Sequence, residues 1–165
     1  MLLELPPLAI GLLNALGLPA LQLGLARLFH ELPVAWFEGN PASTGRLSAS
    51  RRSRLLRRWK RWLPDGAAWF AGGFPKARLR SRDPAYLRRF LAETRRGEVC
   101  HWCFLALTPL FFLWNPPWAC GVIVLYALAA NLPCIAVQRF NRRRLAITLA
   151  RSPAHSSAPA RSEHL

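Results

Sequence analysis

Acidic residues are scarce in this 165-residue chain: eight Asp and Glu stand against 23 Lys and Arg, for a formal net charge of +15. Cysteine is also sparse, and the four present (Cys100, Cys103, Cys120 and Cys134) include no second pair to match the C-x-x-C spacing of Cys100 and Cys103. That shortage argues against a structural zinc site, which wants two ligand pairs, and against a disulfide framework, so no metal is expected and the thiols read as small apolar fillers. Residues 1–29 lack the basic leading stretch of a secretory signal peptide and read as a retained membrane anchor. The Gly-rich residues 71–76 lack the strand-to-helix setting and Walker-type lysine of a phosphate cradle, and read as a connector. No internal repeat is present.

Apolar residues nevertheless make up 52% of the chain, so the charge must be segregated. Residues 46–96 hold 16 of the 23 Lys and Arg with only three acids, Asp65, Asp83 and Glu93. Between apolar spans, such a block fits the positive-inside rule and attraction to anionic headgroups better than it fits phosphodiester binding, so no nucleic acid is expected as a partner. Within it, Leu55, Leu56, Trp59 and Trp62 fall on one helical stripe among arginines, predicting a basic amphipathic helix over residues 51–62. Residues 63–66, Leu-Pro-Asp-Gly, stop it with turn chemistry. Asp83 followed by Pro84 reads as an N-cap with proline in the first helical position, opening a helix that continues through Tyr86, Leu87, Phe90 and Leu91 toward Glu98, with Gly97 a point of bending as it enters the membrane.

Three apolar stretches, residues 5–29, 101–114 and 119–138, are expected to span a bilayer whose hydrocarbon is about 30 Å thick, a re-entrant or interfacial helix being the alternative for the first, which Gly17 and Pro19 interrupt. Trp114-Asn115-Pro116-Pro117-Trp118 joins the last two as an uncharged turn edged with interfacial tryptophan, while arginines crowd the opposite ends. The fold expected is therefore an all-α integral membrane protein with about three transmembrane helices plus a basic amphipathic cytoplasmic or interfacial segment. Residues 1–150 form a single membrane-embedded domain in this reading, and residues 151–165 a disordered tail. The location implied is the cell membrane, multi-pass, with the turn outside and the basic segment and carboxyl terminus cytoplasmic.

An antiparallel pair of spans brings two polar clusters to one face. Glu98 and His101 are three apart and overlie one another on a helix; a carboxylate beside an imidazole sets its tautomer and raises its basicity, as a general base requires. Asn131, Gln138 and Asn141 share a face on the other span, beside Pro133, and suit sugar hydroxyls or a developing oxyanion. Arg139 and Arg144 suit the phosphates of a donor such as an acyl-CoA, and Arg96 is expected among the substrate-binding residues. No cofactor is expected beyond that activated acyl donor as co-substrate.

The two clusters carry a resemblance. Glu93-Thr94-Arg95-Arg96-Gly97-Glu98-Val99-Cys100-His101-Trp102, and Asn131-Leu132-Pro133-Cys134-Ile135 with Gln138-Arg139-Phe140-Asn141-Arg142-Arg143-Arg144-Leu145, resemble the glycosyl-4,4'-diaponeurosporenoate acyltransferase family of staphyloxanthin-type carotenoid biosynthesis. The similarity runs from Trp59 to Leu145. Gly97, Phe140 and Arg143 depart from the Ala, Tyr and Pro of the family pattern, and none of these changes touches Glu98, His101 or Asn141. The resemblance implies a membrane acyltransferase that esterifies a sugar hydroxyl of a glycosylated carotenoid or related glycolipid with a fatty acyl group. The competing reading is a non-catalytic basic membrane protein that binds anionic lipid or scaffolds a biosynthetic complex. A Cys100, His101, Cys103 metal site is a third.

Overall fold

Asp83 does what its position predicts: its carboxylate accepts the backbone N–H of Tyr86 at 2.9 Å and opens a helix whose first residue is Pro84. That helix belongs to a computed structural model describing residues 3–39, 74 and 79–151. The expected amphipathic helix at 51–62, the turn at 63–66, the connector at 71–76 apart from Phe74, and the tail beyond Arg151 lie outside the described residues.

Three long helices carry the described chain: α1 (Pro7–Glu31), α2 (Pro84–Leu107) and α3 (Pro117–Ala150). Short 3-10 segments follow α1 at Val34–Phe37 and α2 at Thr108–Leu113. No strand is present among the described residues. The all-α expectation holds, with one change of layout. The helix opened at Pro84 runs into the apolar stretch as expected, but residues 101–114 are not helical throughout: α2 ends at Leu107, and Thr108–Leu113 form the 3-10 segment. Pro109 is the physical reason, because it has no N–H to continue the α ladder, so the last turn closes at Thr108, whose N–H reaches Phe104 O.

α2 and α3 form an antiparallel hairpin and pack along much of their length. Leu87, Phe90 and Leu91 near the start of α2 meet Leu145, Ala146 and Leu149 near the end of α3, with Phe74 against them. α1 lies alongside. Leu25 of α1 packs with Cys100 and Phe104 of α2 and Ala127 of α3, so Cys100 serves as an apolar filler.

Both ends of α1 are tied. At one, Leu3 N donates to Leu113 O at 2.9 Å, and Asn14 exchanges paired amide hydrogen bonds of 2.8 and 2.9 Å with Asn115 while accepting from Trp114 Nε1 at 3.0 Å. At the other, Arg96 donates to the carbonyls of His30 and Leu32, and Arg95 to Phe37 O at 3.2 Å. α1 therefore runs antiparallel to α2.

The outward faces are apolar. Leu8, Leu12, Leu16 and Leu23 of α1, and Trp118, Val122, Leu125, Tyr126 and Leu132 of α3, are exposed, Leu8 to 76% and Leu125 to 69%. α1 and α3 are the helices long and apolar enough to cross a membrane among the described residues. In α2 the charges between Arg88 and Glu98 break the apolar run.

Candidate active site

α2 presents two polar faces because it crosses from the charged segment into the apolar one without a break. Glu93 and Arg96 point toward α1: Glu93 is 2% exposed, and its Oε1 pairs with Arg96 Nη2 at 2.7 Å. Residues two apart on a helix are turned by roughly 200°, so Glu98 and His101 face the other way, toward α3. The helix thus separates Arg96 from the group it was expected to join. Its guanidinium ties α2 to the end of α1.

Glu98 is buried and held from α3 by both oxygens. Oε1 accepts from Arg139 Nε at 2.6 Å and from Trp102 Nε1 at 3.4 Å, and Oε2 accepts from Arg142 Nη2 at 2.6 Å. Burial alone pushes this carboxyl up, but the hydrogen bonds from Arg139 and Arg142, aided by their charge, outweigh it and hold Glu98 below the usual carboxylate range. Arg139 also lies over the Trp102 ring, 5.8 Å from its centroid. Glu98 is thereby an anion clamped by two cations.

One turn on, His101 Nδ1 lies 2.8 Å from Asn131 Oδ1 of α3. Glu98 was expected to supply the orienting contact to this imidazole; its oxygens instead go to the arginines and Trp102, and Asn131 stands at Nδ1. Asn131 is 2% exposed, and its Nδ2 donates to Ala127 O, one turn back, at 2.9 Å. Gln138 and Asn141 follow on α3, with Asn141 buried. Gln138 Oε1 and Arg142 Nη1 are buried polar atoms with no hydrogen-bond partner in the described protein. A buried acceptor and a buried donor four residues apart on one helix face are suited to a polar ligand.

Of the expected residues, Glu98 meets Arg139 directly and His101 meets Asn131 directly, with Gln138 and Asn141 on the same helix. Arg96 belongs to the α1 contact. Arg144 is exposed and stacks on Phe140, 5.7 Å from its ring, away from Glu98. Arg142 was overlooked as one arginine in a run of three. Its signal was available, since it lies four residues after Gln138 and three after Arg139 on the amide-bearing face. Among the described residues no cluster of three or more His, Cys, Asp and Glu side chains suits a metal ion. A half-buried imidazole held by a buried amide, one helical turn from a clamped carboxylate and a spare Arg142 donor, can accept a proton and stabilise an oxyanion.

The profile of the glycosyl-4,4'-diaponeurosporenoate acyltransferase family matches residues 51–151, which include every residue of this site. The protein of that name from Staphylococcus haemolyticus (strain JCSC1435) is 27% identical over 143 residues, covering 82% of each chain. Those from Staphylococcus aureus strains bovine RF122 / ET3-1 and USA300 are each 26% identical over 130 residues, 75% of this chain and 78% of theirs. No solved structure matches the chain. The chain belongs to the glycosyl-4,4'-diaponeurosporenoate acyltransferase family and is an acyltransferase.

Proposed function

We propose that the protein is a multi-pass membrane enzyme that esterifies a sugar hydroxyl of a glycosylated carotenoid or related glycolipid with a fatty acyl group. The observation that carries the chemistry is the juncture of α2 and α3, where His101 pairs with Asn131 and, one turn earlier on α2, Glu98 is bonded by Arg139 and Arg142. His101 takes the proton of the acceptor hydroxyl. The alkoxide oxygen bonds to the acyl carbonyl carbon, the acyl–sulfur bond of a thioester donor such as acyl-CoA breaks, and the thiolate receives the proton. Glu98, one turn before His101 on α2, holds Arg139 and Arg142 in place, and Arg142 Nη1 and Gln138 Oε1 serve the ligand. Asn141 lines the same face, and Arg144 sits further out, toward the phosphates of the donor.

The membrane setting rests on the outward leucines and on length. α1 is 25 residues, about 37 Å at 1.5 Å per residue, more than the hydrocarbon thickness. From Val99 to Leu113 the end of α2 and the more extended 3-10 segment cover about 24 Å, so the hairpin limb crosses with modest mismatch. Three crossings then place the turn at Trp114 and Trp118 on one side and the arginine-rich ends on the other, cytoplasmic by the positive-inside rule. Residues 1–150 act as one unit in this reading. The test uses membranes containing the full chain, a radiolabelled acyl thioester and a glycosylated carotenoid. Labelled ester forming only when the protein is present is the expected result. No ester above membranes lacking the protein, with either the carotenoid or a simple glycolipid as acceptor, contradicts the proposal.

A further inference from the structure

We infer that Asn131 is a positioning residue that sets the tautomer of His101, holding the proton on Nδ1 and the basic lone pair on Nε2. The inference rests on the proposed role of His101 as base. It follows from which atoms donate and which accept. The carbonyl of Ala127 only accepts, so the atom of Asn131 facing it at 2.9 Å must be the amide NH2. The other end of the amide, which faces His101 Nδ1 at 2.8 Å, is then the carbonyl oxygen, also only an acceptor. Nδ1 must therefore carry the hydrogen, and the neutral ring has its lone pair on Nε2. Because Asn131 is 2% exposed and anchored to its own helix, the amide has no room to flip and reverse the pattern.

An amide in this place has a consequence for acid–base behaviour. It orients the ring and fixes its tautomer as a carboxylate does, but adds no negative charge. The nearby carboxylate, Glu98, is already paired with Arg139 and Arg142. Among the described residues, the other titratable or charged groups toward this end include Glu93, Arg95, Arg96, Cys100 and Cys103 on α2, Cys134, Arg143 and Arg144 on α3, Arg27, His30 and Glu31 on α1, and Glu38 after it. All of these groups are common to every variant compared below.

The experiment measures kcat, KM for each substrate and the pH–rate profile of the full-length enzyme in membranes, for wild type, Asn131→Leu, Asn131→Asp and His101→Ala. Asn131→Leu is expected to lower kcat about 10- to 100-fold at nearly constant KM. Asn131→Asp keeps the acceptor and adds a charge, so it should retain more activity than Asn131→Leu and move the acidic limb of the profile to higher pH. An Asn131→Leu enzyme with wild-type kcat and profile, alongside an inactive His101→Ala, overturns the inference and leaves the base in place. An Asn131→Asp profile whose acidic limb does not move overturns it as well, whether or not Asn131→Leu accumulates. Transfer retained by His101→Ala removes the base and the positioning role together.

Discussion

At the scale of single residues, Glu98 is the group on which the site's electrostatics turn. Its carboxyl is held below the usual range, so the pairing with Arg139 and Arg142 contributes fully above the ordinary glutamate pKa and is lost as pH falls through the lowered folded value. Glu98→Gln leaves the nearly buried Arg142 without its counter-charge, a loss of about 3 kcal/mol, at the low end for a buried pair because half-exposed Arg139 is screened. The thermal midpoint in detergent micelles is expected to drop at pH 7. The acid-induced fall in midpoint below about pH 4 should shrink relative to wild type. Equal midpoints at pH 7 count against the clamp. That Glu98 and His101 share one face was legible because i,i+3 spacing is a local property of one helix, though the carboxylate bonds to Arg139 and Arg142 and the imidazole to Asn131 instead of to each other. Their partners were not, because sequence gives no rotation of α2 about its axis relative to α3. The same blindness put Arg96 with the catalytic group, when it lies on the opposite side of the helix.

At the scale of elements, α1 is held by polar pins rather than by a large apolar interface, since Leu25 alone among its residues is buried. Asn14 and Asn115 satisfy each other's amides, and Asn115 Nδ2 also reaches Phe111 O at 2.7 Å. Asn14→Leu strands buried Asn115 and the indole of Trp114, which costs about 2 kcal/mol. A lower thermal midpoint, with faster proteolysis of the chain in micelles, is the expected outcome; a midpoint equal to wild type would show that α1 is docked some other way. Gly17 marks a second close approach, because a Cβ there would stand 3.1 Å from Phe111 Cε1. Neither pin was readable beforehand. Asn14 sits in an apolar run and Asn115 in a turn, and nothing in a sequence couples residues a hundred positions apart. The start of α2 was readable, because Asp83 and Pro84 act within one turn of chain. The end of α2 was missed because the apolar stretch was read as one span to residue 114, whereas Pro109 sets the boundary.

At the scale of the whole molecule, the apolar residues face outward along α1 and α3 while buried polar groups gather at the two ends, the inverse of a water-soluble bundle. In a background with the four native cysteines replaced by alanine, a cysteine at Trp118 is expected to react with an impermeant maleimide in intact cells. One at Arg143 is expected to react only after permeabilisation. Both positions labelling from the same side would rule out a hairpin that crosses the bilayer. The helical class and the antiparallel hairpin were legible from apolar lengths and charge asymmetry, which are summed over many residues and so survive local errors.

The central claim is that the juncture of α2 and α3 transfers an acyl group with His101 as base, and mass spectrometry of lipid extracts tests it most directly. Cells making the His101→Ala protein at wild-type level in the membrane are expected to lose the acylated glycolipid and accumulate its free-hydroxyl precursor. An unchanged amount of the acylated product in those cells would contradict the account.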